Sequence, residues 1–347
     1  MPICLEREPS RPGLFAGAES PGGKAPVEFH ESDANCITIG LINNMPDAAL
    51  QATERQFVAL LGAAADGVVV RLRPYALPDV PRTEWGRDYV SRFYSGIGDL
   101  WDSSLEGLIV TGTEPRSPNL RDEPYWGSLT SVLEWAEHNT HSTIWSCLAT
   151  HAALLHIDGI GRHALSDKRF GIFECVRVCD HHLMVGAPFR LRMPHSRWNE
   201  IPEDALASCG YRVLTRSDDA GVDAFVKQRK SLFVFFQGHP EYEGHTLLLE
   251  YRRDIKRFLV QERETYPGMP QGYFDKETVE ALTALRERAL ADRREEVLTQ
   301  FPAALATKRV TNTWRSTWAH VYRNWLLYMC AQKDRRLRER SGQVTGV

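Results

Sequence analysis

The sequence has no excess of charge of either sign, no long apolar run and no paired cysteine motif. Its 347 residues include 42 Lys and Arg against 45 Asp and Glu, which gives a formal net charge of −3 at pH 7. This balance provides no positive field for nucleic acid or for an anionic membrane, so we expect neither partner. No apolar run approaches the roughly 20 residues that cross a bilayer, and the first residues lack the apolar region of a secretory signal.

Cysteine is present, but not as a disulfide framework. The seven cysteines are odd in number and scattered, which is typical of reduced thiols and predicts a cytoplasmic protein. Strand alternation would bring Cys175, Cys179 and His181 to one face, next to His182. Zinc sites typically use closer Cys pairs held by turns, so we predict no metal site here.

The chain divides into four segments by composition and periodicity. Residues 1–33 are rich in Pro, Gly, Ser and Ala and predict a flexible N-terminal arm. Residues 34–265 predict one large α/β domain, and residues 266–332 predict a helical C-terminal extension packed on it. The basic stretch 333–347 is expected to be a flexible tail.

Short apolar runs alternate with helical patterns through the first half of the chain. Strands are predicted at 36–42, 68–72, 108–110 and 142–147, and helices at 47–62 and 128–138. This alternation predicts an α/β fold with a mostly parallel sheet flanked by helices and right-handed crossovers. The pattern at 168–213 instead predicts an antiparallel flap of short strands.

Residues with useful chemistry follow several of these strands. Asn44, Gly112, Cys147 and His239 are all predicted at strand ends. Because ligands of parallel sheets collect beyond the carboxyl ends of the strands, these residues predict one shared site.

Cys147 and His239 have the layout of a cysteine acyl-transfer site. Cys147 lies between an apolar run and a helical pattern that begins at Leu148, so a strand-to-helix turn would expose its sulfur. The first helical N–H groups and the helix dipole favour a thiolate and an oxyanion there. His239 is the predicted base, and Glu241 would fix its tautomer and stabilise the imidazolium. The structural alternative is a small buried cysteine and a His-Pro turn.

The C-terminal third of the chain has a helical pattern. Apolar residues at a spacing of three to four predict one aromatic stripe, which forms either core or the seam of a possible homodimer. The stripe consists of Trp314, Trp318, Val321, Trp325 and Met329. A charged amphipathic helix is predicted at 276–299.

Short blocks of sequence occur in a fixed order between residues 35 and 330. They lie at 39–46, 53–56, 108–112, 125–126, 147, 152–154, 159–160, 170–174, 194–197, 238–242, 250, 253–254 and 324–326. Together they resemble the homoserine O-succinyltransferase family, which has a class I glutamine-amidotransferase-like fold. The resemblance implies transfer of a succinyl group from succinyl-CoA to the hydroxyl of L-homoserine through a Cys147 acyl-thioester, in methionine biosynthesis. Acyl-CoA would be a co-substrate, with no permanently bound cofactor.

The resemblance also implies an oxyanion site made by the backbone N–H groups of Asn44 and Leu148. Such donors typically lower the barrier by a few kcal/mol each. Two departures from the family lie close by. The family usually has lysines after the Met-Pro of the first loop, where this chain has Asp47. Residues 148–151, Leu-Ala-Thr-His, replace the family's Trp-Gly-Ala-Gln.

Binding of the amino-acid substrate is implied for a second group of residues. Glu250 and Arg253 lie three apart on a predicted helix and would hold the ammonium and carboxylate of homoserine. A surface ion pair is the alternative for these two residues. Ser196 and Arg197 match another family segment near the site, although Arg197 could equally tie down the flap.

The loop after Gly112 departs from the family where the acyl group is selected. It has the sequence Thr-Glu-Pro-Arg, and Arg116 falls near the discriminating position. A guanidinium there can pair with a succinyl carboxylate, so we assign donor selectivity to Arg116. The alternatives are an acetyl-CoA-dependent homoserine or serine O-acetyltransferase, an amidotransferase-like hydrolase, and a degenerate binding module on the same fold.

Overall fold

The central feature of the molecule is one mixed β-sheet. A computed structural model of the chain describes residues 3–5, 35–308 and 311–344. Its strands are β1 (Ile3–Leu5), β2 (Cys36–Ile42), β3 (Val69–Tyr75), β4 (Gly107–Val110), β5 (Ser142–Ser146), β6 (His163–Arg177), β7 (Arg190–Glu200), β8 (Arg212–Ser217), β9 (Gly221–Gln228) and β10 (Leu232–Phe236). Over the described residues these ten strands form one sheet in the order β1-β3-β2-β4-β5-β10-β9-β8-β6-β7.

The first six strands in this order run parallel to one another. Strands β4, β5 and β10 are buried at every position, because such strands are covered on both faces. The last residue of β2, Ile42, pairs with the last residue of β4, Val110, and Val110 pairs with Trp145 of β5. One residue further along β5, Ser146 pairs with Phe236, the last residue of β10. The carboxyl ends of β2, β4, β5 and β10 are therefore level. The loops that follow these four strands meet at one edge of the sheet.

The remaining four strands extend the sheet in antiparallel fashion beyond β10. Strands β6 and β7 form the long hairpin that the sequence predicts as a flap. The flap reaches the edge described above, because the carbonyl oxygen of Pro194 in β7 accepts the N–H of His239 at 2.8 Å. The prediction of a mostly parallel sheet flanked by helices is confirmed.

Ten α-helices occur in the described residues. They are α1 (Asp47–Ala64), α2 (Glu84–Phe93), α3 (Ile97–Trp101), α4 (Trp126–Asn139), α5 (Leu148–Ile157), α6 (Glu203–Ser208), α7 (Thr246–Leu259), α8 (Lys276–Ala291), α9 (Ala303–Lys308) and α10 (Arg315–Val344). Short 3₁₀ turns lie at Leu120–Asp122, His182–Met184 and Glu295–Gln300. Side-chain oxygens cap α2 and α8, where Thr83 and Asp275 accept backbone N–H groups. None of the helices in these described segments is both long enough and apolar enough to span a bilayer.

The aromatic stripe of α10 belongs to the core of a single chain. Its five residues, Trp314, Trp318, Val321, Trp325 and Met329, are at most 2% exposed. The Trp325 indole donates to the Ser142 hydroxyl at 2.8 Å, and the Trp318 indole donates to the Arg192 carbonyl. The alternative that this stripe forms a homodimer seam is therefore wrong, because the stripe is already covered.

The predicted ends of the chain need correction. The tail from 333 was expected to be flexible, but α10 continues through it to Val344 because Lys and Arg propagate a helix well. Lys333 also donates to the Cys36 carbonyl at 2.6 Å and pairs with Glu106 at 3.2 Å. In the predicted N-terminal arm, Ile3–Leu5 forms β1 beside β3, and 6–33 lies outside the described residues. The helix predicted at 276–299 ends at Ala291, before a separate 3₁₀ turn.

Candidate active site

Cys147 lies on a strained turn between β5 and α5. Its φ of 52° and ψ of −114° are rare for a residue other than glycine, and such strain costs about 1–3 kcal/mol. Hydrogen bonds hold the turn, because the Cys147 N–H donates to the Phe236 carbonyl at 2.8 Å. The Thr150 hydroxyl lies 2.7 Å from the Trp145 carbonyl oxygen and 3.1 Å from that of Phe236. The strand ends thus fix the thiol at the N-terminus of α5.

His239 and Glu241 follow β10 at the same edge of the sheet. The His239 Nδ1 lies 2.8 Å from Glu241 Oε1, and both side chains are less than a tenth exposed. The imidazole stacks on Tyr242 with a centroid distance of 4.2 Å and an interplanar angle of 17°. With Nδ1 engaged by the carboxylate and the ring held by Tyr242, Nε2 is left for the sulfur of Cys147.

The charges around His239 determine its protonation state. Burial alone would lower the pKa of His239, but Glu241 and then Cys147 raise that pKa well above its ordinary value, through charge and hydrogen bonds. A proton on the imidazole is therefore stabilised beside the sulfur. The arrangement can thus supply a sulfur nucleophile and a proton donor for a leaving group.

The two expected oxyanion donors, the N–H groups of Leu148 and Asn44, have different surroundings in the structure. The Leu148 N–H is the first of α5, and the end of β4 packs directly against it. A Cβ added to Gly112 would lie 2.8 Å from the Leu148 nitrogen. The Asn44 N–H instead donates to the Thr111 hydroxyl at 2.8 Å. Asn44 would therefore have to leave Thr111 before its N–H could contact an oxyanion.

Glu250 is the centre of a polar cluster beside the His239 imidazole. Its carboxylate accepts hydrogen bonds from the hydroxyls of Ser196 and Tyr242, each at 2.5 Å. Lys168 lies 3.4 Å away, and Arg253 lies 3.9 Å away. Burial would raise the pKa of Glu250, but the charge of Lys168 and these other contacts hold that pKa below its usual value. The structure thus brings Ser196 and Glu250 together. Tyr242 connects this cluster to the site, because it donates to Glu250 and stacks on His239.

The two predicted substrate-binding arginines have other partners in the structure. The Arg253 guanidinium donates twice to Asp254, at 3.0 and 2.8 Å, so its bond to Glu250 is the weaker one. Arg197 is buried, and it donates to the carbonyls of Asn199 and Ala220 and to the His195 ring. Arg197 therefore braces the flap, which is the alternative that the sequence left open.

Arg116 lies at the rim of a cavity of about 300 Å³ near the catalytic turn. Its side chain is exposed and forms no ion pair within the described part of the chain. Its backbone N–H donates to the buried Glu123 carboxylate at 2.5 Å. Glu123 thus anchors the loop backbone and does not pair with the Arg116 side chain.

The residues considered for a metal site are not brought together. Among the described residues only Cys175 joins a compact set, with His195 and Asp223, in which one ligand atom from each residue lies within 4.8 Å of the other two. The three are fully buried, and burial raises the pKa of Cys175 and raises that of Asp223 to about 7. The buried guanidinium of Arg197 contacts the His195 ring at 3.3 Å. Neutral ligands beside a fixed cation oppose binding of a metal ion.

Sequence reasoning assigned no role to three residues around the site, although Tyr242 and Thr150 lie in segments that it compared with the family. Lys168 neutralises Glu250 from the flap, Tyr242 stacks on His239, and Thr150 braces the nucleophile turn. His151, also a departure from the family, is buried, and its ring lies 3.3 Å from the Gln237 amide oxygen. The unusual residues after Cys147 thus support the turn instead of entering the site.

The fold and the site together define a class of protein. A thiol on a strained strand-to-helix turn, with an imidazole and a carboxylate at the same edge of a parallel sheet, is the arrangement of α/β enzymes that use cysteine as an acyl carrier.

Comparison with known proteins specifies the family. The model of the homoserine O-succinyltransferase family matches residues 26–336. The homoserine O-succinyltransferase of Rhodopseudomonas palustris is 46% identical over 86% of this chain and 90% of its own. That of Methylorubrum extorquens is 44% identical over 88% and 91%. A solved glutamine amidotransferase from Methylobacillus flagellatus is 14% identical, covers 85% of this chain and 95% of its own, and has a TM-score of 0.46. The chain belongs to the homoserine O-succinyltransferase family, and the predicted resemblance is confirmed.

Proposed function

We propose that this protein transfers a succinyl group from succinyl-CoA to the hydroxyl of L-homoserine, with Cys147 as the acyl carrier. The observation that carries the proposal is the constellation of the half-buried Cys147 with the buried His239 and Glu241 in a chain of this family. The substrates are small molecules, and the reaction belongs to cytoplasmic methionine biosynthesis. Acyl-CoA acts as a co-substrate that leaves after each turnover.

In the first step the Cys147 thiolate attacks the thioester carbonyl of the acyl donor. The carbonyl oxygen becomes an oxyanion, which accepts a hydrogen bond from the Leu148 N–H and, once Asn44 is released by Thr111, from the Asn44 N–H. The C–S bond to coenzyme A breaks, and the His239 imidazolium gives its proton to the departing thiolate. The acyl group is then held as a thioester on Cys147.

In the second step neutral His239 takes the proton of the homoserine hydroxyl. The resulting oxygen nucleophile attacks the Cys147 thioester, the C–S bond breaks, and the Cys147 thiolate is restored beside the imidazolium. Glu241 holds the imidazole in place and stabilises its charge in both steps. Division of the transfer into two displacements avoids an encounter of both substrates at once.

The cluster around Glu250 is the proposed amino-acid site. A carboxylate can receive the ammonium of homoserine, and Arg253, about half exposed, is the cation available for its carboxylate. Ser196 orients Glu250 from the flap. Lys168 already neutralises Glu250, so we expect the incoming ammonium to share Glu250 with Lys168.

The donor side of the site is proposed to lie across the sheet edge. A cavity of about 620 Å³ is lined by residues 76–82, by Arg87, Val90 and Ser91 of α2, and by residues 94–97. It shares Pro81 with the smaller cavity near Arg116. The two cavities together offer room for the carrier portion and the acyl portion of an acyl-CoA.

The test is intact mass measurement of the full chain after mixing with succinyl-CoA or acetyl-CoA. Wild type should gain the mass of one succinyl group and lose it when homoserine is added, with O-succinylhomoserine formed in equal amount. Cys147→Ala should gain no mass, whereas Cys209→Ala, which removes another half-buried cysteine, should behave as wild type. Loss of the adduct in water alone would support the hydrolase alternative, and an acetyl adduct with faster turnover would support the acetyltransferase alternative.

A further inference from the structure

The cavity of about 300 Å³ lies next to the nucleophile. Pro46 comes from the loop after β2 and Thr113 from the loop after β4, and both line this cavity. The preceding residue Gly112 packs against the Leu148 amide, the first residue beyond Cys147. An acyl group on the sulfur would therefore lie next to the loops that form this cavity.

The inner wall of the cavity contains polar atoms that have no partner. Glu123 and Tyr125 line it and are 3% and 4% exposed. Glu123 Oε1 accepts the N–H groups of Arg116 and Ser117, but within the described chain its Oε2 is buried without a hydrogen bond, as is the Tyr125 hydroxyl. Buried polar atoms are rarely left in this state, because an unmade hydrogen bond leaves the cost of removing the atom from water uncompensated. An unfilled ligand position is a direct explanation.

Arg162 brings a positive charge to the loop that carries Glu123 and Tyr125. Its Nη2 donates to the Pro118 carbonyl in the cavity loop at 3.0 Å, and its Nη1 is buried with no partner among the described residues. Burial lowers the pKa of Arg162, while the charges of Tyr125, Glu123 and Cys147 raise it. The guanidinium is therefore close enough to interact with both the cavity wall and the catalytic sulfur.

We propose that Arg162 is the residue that receives the distal carboxylate of a dicarboxylic acyl group carried on Cys147, with the Tyr125 hydroxyl as a second donor. This inference rests on the proposed function and specifies its acyl site. One free guanidinium nitrogen and one free hydroxyl match the two oxygens of a carboxylate. Glu123 balances the charge of Arg162 and, through its other oxygen, fixes the loop that forms the cavity.

Arg162 fits this role better than Arg116 because its Nη1 atom is buried. The Arg116 side chain is exposed at the rim, where water screens a charged contact and leaves it worth little. The Arg162 nitrogen is shielded from water, so an acyl group without a carboxylate leaves it unpaired. Discrimination against an acetyl group follows from that unpaired donor.

The experiment is measurement of kcat/KM for succinyl-CoA and acetyl-CoA with homoserine as acceptor, in full-length wild type and variants. Arg162→Met should reduce kcat/KM for succinyl-CoA by about 10- to 100-fold, with no such loss for acetyl-CoA. Arg162→Lys should keep part of the succinyl preference, and Tyr125→Phe should lower the preference less than Arg162→Met. Arg121→Met is the matched control, because it removes an exposed arginine from the loop that carries Glu123 and Tyr125.

Several outcomes would overturn the inference. Wild-type activity with succinyl-CoA and an unchanged donor ratio in Arg162→Met would remove Arg162 from the acyl site and leave the proposed function intact. If only Arg116→Met loses the preference for succinyl-CoA over acetyl-CoA, the succinyl carboxylate binds Arg116 at the rim of the cavity. If Arg162→Met does not fold, as judged by its thermal unfolding, an unchanged ratio in both Arg162→Lys and Tyr125→Phe would equally refute the assignment. Absence of any Cys147 adduct in wild type would instead count against the proposed function itself.

Discussion

Replacement of Gly112 by alanine should disable catalysis while the fold persists. A Cβ at this position would lie 2.8 Å from the Leu148 nitrogen and 2.7 Å from the Leu148 Cβ. Ordinary contacts between heavy atoms lie at about 3.5–4.0 Å, so the end of β4 and the start of α5 must separate by roughly 0.7 Å. Both are anchored, because β4 pairs with β5 and α5 begins at the strained turn of Cys147.

The size of the effect follows from the atom that is displaced. The Leu148 N–H is the proposed oxyanion donor beside the sulfur, and loss of one such donor typically costs about 100- to 1000-fold in kcat. A misplacement of about 1 Å near reacting atoms has a similar consequence. Overpacking of this kind typically costs about 1–3 kcal/mol of stability, which a folded domain of this size tolerates. We therefore expect a large loss of kcat with a small change in KM for homoserine.

Single-turnover formation of the Cys147 acyl-enzyme is the appropriate assay, alongside urea unfolding. Gly127→Ala is the matched control, because a Cβ at Gly127 meets no atom within 4 Å. It should leave the rate and the unfolding midpoint close to those of wild type. If Gly112→Ala forms the acyl-enzyme at half the wild-type rate or faster while folded, the contact with Leu148 does not position the oxyanion donor.

Three further changes test other contacts. Glu241→Gln removes the strongest interaction that raises the His239 pKa, so the imidazolium is lost at lower pH and the alkaline limb of kcat/KM should move to lower pH. An alkaline limb that stays in place would contradict the role of the carboxylate. Glu250→Gln should raise KM for homoserine by about 10-fold in steady-state assays and leave acyl-enzyme formation nearly unchanged. Lys333→Met leaves Glu106 without its cation and should lower the free energy of unfolding in urea by about 1–3 kcal/mol; an unaltered free energy would mean that this ion pair does not stabilise the fold.

Local sequence patterns were sufficient for the parallel strands β2 to β5 and β10 and for the edge at which they end, but not for β1, which lies in the predicted flexible arm. The parallel strands are short apolar runs, and Cys147 and His239 come directly after two of them that pair in register. Alternation of strands and helices then places such residues together without any knowledge of distant contacts. The same reasoning failed at the tail after Lys333, because a run of basic residues is equally compatible with a frayed end and with a continued helix.

The contacts that complete the site could not be predicted in this way. Lys168, Arg162 and Thr111 are single residues with no periodic signal, and their importance comes from partners that are distant in sequence. Thr111 holds the Asn44 N–H, and Lys168 faces Glu250 from the flap. Only the three-dimensional arrangement decides which charge is already neutralised and which donor is already engaged.

The C-terminal extension positions Glu241 and also forms part of the core. The Trp314 indole donates to the Tyr242 carbonyl at 3.0 Å, and Arg315 donates to the Glu241 carbonyl at 3.2 Å. In the described chain, Arg315 Nη1, Glu241 Oε2 and the Tyr322 hydroxyl are all buried without a partner, and their charges influence one another. The start of α10 thus fixes the backbone of the residue that orients the imidazole, and places a cation near its carboxylate. A boundary after residue 265 divides the chain by composition, but the catalytic geometry depends on both sides of it.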